Sequence, residues 1–97
     1  MLITEKGCCG RLSSVVTNVK IDPCERPAEE FCLLLRGIEC KICIEKCIYN
    51  SLKLEELNKA KCYEIYKKNA VKHSNLGSPE VCGKCICVTP CSFEVPS

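Results

Sequence analysis

The chain has 97 residues, 12 of them cysteine, a density above the roughly 8–10% that marks a disulfide scaffold in a short chain. Its 14 Lys and Arg against 12 Asp and Glu leave a net charge of +2, too near balance for a dedicated nucleic-acid binder, and no apolar run approaches the ~20 residues of a membrane-spanning helix. The length allows one domain, residues 1–97, and a chain of this size buries only about 60–70% of its unfolded surface, so cross-links must supply a large share of its stability.

From Val15 to Ile21 the order Val-Val-Thr-Asn-Val-Lys-Ile puts Val15, Val19 and Ile21 on one side of an extended chain and Asn18 and Lys20 on the other, which predicts a half-buried strand. Pro23 and Pro27 break regular structure, and the charged residues between Cys24 and Cys32 make that segment a polar loop. Arg36-Gly37 is a turn. From Ile38 to Ile44 apolar residues fall at even numbers (Ile38, Cys40, Ile42, Ile44) and charged ones at odd numbers (Glu39, Lys41, and Glu45 beyond), the period of a strand with one dry face.

Asn50 or Ser51 then predicts a helix N-cap, with Glu55 and Glu56 near the positive end of the dipole and Lys67 and Lys68 near the other. Leu54, Leu57, Lys61 and Ile65 keep helical spacing, so a helix of about four turns is expected over 52–68. From Lys53 to Lys72 there are six lysines and three glutamates, a basic surface suited to anionic headgroups or an acidic partner. Asn75 to Pro79 is a loop by composition. Val81 to Cys91 is expected to be one strand cross-linked on both faces, and Phe93 to Pro96 a short extended tail.

Thiols stay reduced in the cytosol and oxidise in secretory compartments. Twelve cysteines suit six disulfides; three four-cysteine zinc sites would also consume them, but 38 residues, 44 to 81, separate Cys40-x-x-Cys43 from Cys82-x-x-Cys85, where zinc pairs usually lie about 15–20 apart. The expectation is a secreted, extracellular chain whose signal peptide is not present here, Met1 to Lys6 having no apolar signal-peptide core, with no metal and no cofactor. Catalytic signatures are absent: no Gly-x-Ser-x-Gly, no phosphate-cradling glycine loop, no His-Glu-x-x-His. His73, the one histidine, is read as a solvated loop residue. Cys82-x-x-Cys85 has the spacing of a redox dithiol, but that motif normally opens a helix, and none is expected after Gly83. The protein is therefore read as no enzyme.

Cys9-Gly10, the aliphatic residues Val15, Val16, Val19 and Ile21, Pro23-Cys24, and then Cys32-Leu33-Leu34-Leu35-Arg36-Gly37 together resemble the opening of the ML lipid-recognition family, of the Niemann-Pick type C cholesterol carrier and group 2 mite allergen type, in a divergent and shortened form. Cys91-Ser-Phe-Glu-Val-Pro96 is similar to the closing Cys-aromatic-Glu-aliphatic-Pro of that family, with one residue inserted. The resemblance implies a mainly β fold: a small disulfide-rich, immunoglobulin-like β-sandwich of reduced ML type, here with one inserted helix near 52–68. It also implies bridges Cys24 to Cys32 and Cys9 to Cys91, with Cys8 competing for the second; the other eight cysteines keep 105 possible pairings.

In that family the sandwich opens between its sheets around an acyl chain or sterol, bound by apolar burial at about 0.8 kcal/mol per CH₂. The expected function is secreted, non-enzymatic lipid or sterol binding, with ligand contacts from Val15, Val19, Ile21, Leu34, Ile38, Ile42 and Ile44. The alternative is a secreted cysteine-rich toxin, effector or receptor ligand acting through its surface, with Lys61, Lys67 and Lys68 of the basic segment 53–72 meeting a protein receptor or an anionic membrane. The surplus cysteines and the basic helix favour it. Neither reading involves nucleic acid.

Overall fold

Asn58 begins the one long helix. Its side-chain oxygen accepts the Lys61 backbone N–H at 2.9 Å, satisfying one of the donors that every helix N-terminus leaves unpaired. The computed structural model, which describes residues 1–79 and 82–97, places three α-helices in chain order: α1 (Ile42–Glu45), α2 (Lys59–Lys72) and α3 (Lys84–Cys87), with a 3₁₀ turn at Ser74–Leu76 after α2. The short α1 and α3 pack against each other. Helix α2 runs directly into the 3₁₀ turn, and its last turn carries Lys72 at the negative end of the dipole.

There is no strand among the described residues, only the isolated bridges Thr4 to Gly7 and Leu52 to Leu57. The immunoglobulin-like β-sandwich is thus overturned, and with it a ligand slot between two sheets. Each expected strand fails for a local reason. At Val15 to Ile21, Thr17 Oγ1 accepts the Val19 N–H at 3.1 Å, a side-chain turn that competes with extended pairing, and no second strand is there to pair with. At Ile38 to Ile44 the apolar residues at 38, 40, 42 and 44 also stand four apart in two pairs, a spacing that suits a helix face. The chain there turns into α1, closed by the Glu45 N–H to Lys41 oxygen bond at 3.0 Å and the Lys46 to Ile42 bond at 2.8 Å.

The third expected strand, 81–91, is a helix followed by a turn; its first residue, Val81, lies outside the described residues. Gly83, at φ 70°, supplies the left-handed residue from which α3 starts. After α3, Thr89-Pro90-Cys91-Ser92 closes on itself: the Thr89 N–H donates to Ser92 Oγ at 2.8 Å and the Ser92 N–H to the Thr89 carbonyl at 3.0 Å. Proline in the second position is pre-set for such a turn. The helix expected over 52–68 starts later and ends later. Residues 51–58 instead form a turn held by Lys53 N–H to Glu56 oxygen and Asn58 N–H to Ser51 oxygen bonds, both 2.8 Å, so Asn58 rather than Asn50 or Ser51 is the cap.

The radius of gyration is 16.0 Å, against about 13 Å for a compact chain of 100 residues. Among the described residues the buried hydrophobic side chains are Cys8 and Ile65, 7% and 8% exposed. Apolar burial alone therefore does little for this fold. Cysteines supply the sulfur contacts that join the N-terminal segment to the C-terminal one.

Candidate functional site

Two features bear chemistry: a thiol-rich junction where the first ten residues meet the last eleven, and the outer face of α2. The junction is built on the backbone. Cys8 N–H donates to the Cys91 carbonyl and Cys9 N–H to the Ser92 carbonyl, each at 2.8 Å. Gly7 makes this approach possible: at φ 87°, a Cβ there would stand 2.3 Å from the Ser92 carbonyl oxygen, so neither the space nor the dihedral accepts a side chain.

Across this junction Cys8 Sγ lies 3.7 Å from Cys91 Sγ, and Cys9 Sγ lies 3.2 Å from Cys87 Sγ. All twelve cysteines carry thiols in this structure. Burial, reinforced by the neighbouring Cys91 sulfur, pushes the Cys8 thiol up to about 11. The Cys87 sulfur raises Cys9 in the same direction. Cys43 on α1 is raised mainly by burial, with smaller effects from Cys91, Cys32 and Cys40. Burial also raises Cys85, with lesser contributions from Cys47, Cys62 and Cys82. Cys82-x-x-Cys85 lies at the start of α3, so a helix does follow Gly83 where none was expected. Cys47 alone moves down: burial opposes it, but the N–H groups of Leu52, Ser51 and Tyr49 aimed at its sulfur prevail, those of Ser51 and Leu52 at 3.2 and 3.4 Å. Among the described residues no three His, Cys, Asp or Glu side chains converge closely enough to hold a metal ion.

Beside the junction an apolar groove of about 250 Å³ is lined by Met1, Ile3, Leu33, Leu34, Ile44 and Leu54, and by Cys91 and Pro96 from the C-terminal segment. The Arg36 guanidinium donates to the Pro96 carbonyl at 3.1 Å and pins the tail there. Of the residues expected to touch a lipid, Leu34 and Ile44 line this groove. Ile42 is half-buried on α1 but off the groove wall. Ile38 is exposed, as are Val15, Val19 and Ile21, at 82%, 64% and 73%. Cys32 lies on the groove wall while Cys24 is exposed in its loop, and no sulfur contact joins them. Cys91 stands against Cys8, the competitor, and Cys9 against Cys87.

Helix α2 buries one side through Ile65, with Cys62, Tyr66, Asn69 and Ala70 partly covered. Lys61, Lys67 and Lys68 all fall on the exposed side, joined by Lys59 and Lys72. Tyr63, 57% exposed, stacks on Tyr66 with centroids 5.4 Å apart, and Lys67 Nζ stands 5.5 Å from the Tyr63 ring while pairing with Glu64. That pairing raises the Lys67 pKa. Charge counting found the lysines but missed the tyrosines; their three-residue spacing, which puts rings on neighbouring positions of a helix, was the available signal. His73 is the exposed C-cap of α2. Comparison with known proteins gives no matching family, no matching curated protein and no matching solved structure.

Proposed function

We propose that this protein is a secreted, non-enzymatic, cysteine-stabilised binding protein that presents the outer face of α2 to an acidic surface on a protein partner. The observation that carries this is the exposed side of α2, which bears five lysines, one glutamate and the exposed Tyr63, with Lys67 standing over the Tyr63 ring. Tyrosine supplies contact area at low entropic cost and is enriched at interface hot spots, while the lysines steer an acidic partner and set salt dependence. A bilayer interface is the weaker match. A helix lying in it needs a broad apolar face, and the exposed side of α2 offers Ala60 and Val71 as its aliphatic residues.

The groove favours a second reading, capture of an acyl chain. Its volume of about 250 Å³ falls below the roughly 300–1,000 Å³ of small-molecule pockets, which places this reading second. The test uses oxidised protein at low ionic strength with three probes: a poly-glutamate peptide, phosphatidylserine vesicles and a fluorescent fatty acid. Binding to the peptide is expected, with a loss of about tenfold or more, near 1.4 kcal/mol, in the triple variant Lys61→Glu, Lys67→Glu, Lys68→Glu. Unchanged peptide binding by that variant overturns the proposal. Stoichiometric fatty-acid binding with no peptide binding puts the groove in its place.

A further inference from the structure

We propose that Cys8 bonds to Cys91 and Cys9 to Cys87, a pair of adjacent disulfides that clamps the N-terminal segment onto α3 and the turn that follows it. The inference rests on the oxidised state assumed above but not on α2 having a partner. Three observations select this pairing from the alternatives. First, the Cys8 N–H donates to the Cys91 carbonyl at 2.8 Å, which holds the two residues side by side. Their sulfurs already stand 3.7 Å apart. Second, Cys8 is buried and Cys9 half-exposed, and the two sulfurs meet different partners, Cys9 Sγ standing 3.2 Å from Cys87 Sγ. Third, Cys8 Sγ also reaches the Ile86 carbonyl at 3.6 Å, so the N-terminal segment touches α3 as well as the turn that carries Cys91.

Each bond forms by exchange with a disulfide oxidant such as oxidised glutathione. One thiolate of the pair attacks it, giving a mixed disulfide and one glutathione thiolate; the second thiolate of the pair then displaces the other glutathione. Two cysteine thiols lose two protons and two electrons, and one glutathione disulfide becomes two thiols. The clamp also ties together two chain segments that line the apolar groove, since Met1 and Ile3 precede Cys8 and Cys91 is itself a lining residue.

Trypsin cannot resolve the pairing in the parent protein, because both bonds join residues 7–11 to residues 85–97. Protein refolded with a glutathione couple is therefore alkylated without reductant in two variants and the label located by fragmentation mass spectrometry. Cys87→Ser should leave the label on Cys9, and Cys91→Ser should leave it on Cys8. The reverse pattern, or label divided between Cys8 and Cys9 in both, overturns the proposal. The parent protein supplies a measurement free of folding defects: under limiting reductant the exposed Cys9 to Cys87 bond should open first, so that Cys9 and Cys87 are labelled before Cys8 and Cys91. Simultaneous labelling of all four, or free thiols at these positions before any reduction, overturns it as well.

Discussion

Residues 7–9 and residues 15–21 lie within one short stretch of the chain and meet opposite fates. The first segment is short and holds a single glycine and two cysteines, yet it is fixed by two backbone bonds and two sulfur contacts to the far end of the molecule. The second has the better strand pattern and more aliphatic surface, and it stays exposed. Alternation states which side of a strand would be dry if a sheet existed to dry it. It does not provide the sheet. In a chain this small, ordering a segment has to overcome about 1–2 kcal/mol of backbone entropy per residue, and at 7–9 paired donors, acceptors and sulfurs offset it where apolar area at 15–21 finds nothing to pack on.

The sharpest way to break this contrast is to remove the clamp. The double variant Cys87→Ser with Cys91→Ser, which opens both bonds, should cost about 4–5 kcal/mol in urea unfolding of the oxidised protein, the chain-entropy value for the long loop between residues 8 and 91; a loss under 1 kcal/mol would show that the junction does not hold the fold. Next, Gly7→Ala should cost about 2–3 kcal/mol, since it adds strain at positive φ to a backbone clash, and should slow oxidative refolding. Unaltered stability would mean that the segment docks some other way.

A pH series separates the oxidised from the reduced protein. In the reduced chain the Cys8 thiol, raised from 9.0 to about 11, binds its proton more tightly folded than unfolded. Its contribution is therefore present below about pH 9 and lost as pH rises to about 11. Oxidised protein with Cys8 in a bond should lack this decline, as read by thermal unfolding across that window. The smallest effect is expected in the free segment: Val15→Ser, Val19→Ser and Ile21→Ser should each change stability by less than about 0.5 kcal/mol. A cost above 1 kcal/mol would place those side chains in a packed environment.

Helix α2 was legible in part. The spacing of Lys61 and Ile65 and the lysines at 67 and 68 lie inside it, whereas Asn50 and Ser51 look as good as Asn58 for a cap by residue type. Only the turn at 51–58, which uses the Ser51 carbonyl and the Asn58 N–H on each other, decides among them. The strand expected at 38–44 shows the converse. Its seven residues satisfy period two and also place apolar side chains four apart, and the packing of α1 against α3 resolves the ambiguity in favour of helix. Of the candidate site, Lys61, Lys67 and Lys68 were visible from charge and Leu34 and Ile44 from hydropathy, while Cys8 and Cys87 were two cysteines among twelve.

Composition by itself determined that this chain would lean on sulfur: with 12 cysteines in 97 residues and so little length for a core, few other sources of stability are open to it. Which sulfurs meet was decided only in three dimensions. Pairing depends on where the backbone of Gly7 can approach Ser92 and on how α3 and the Thr89 to Ser92 turn present Cys87 and Cys91, relations between residues some 80 positions apart that no local pattern encodes.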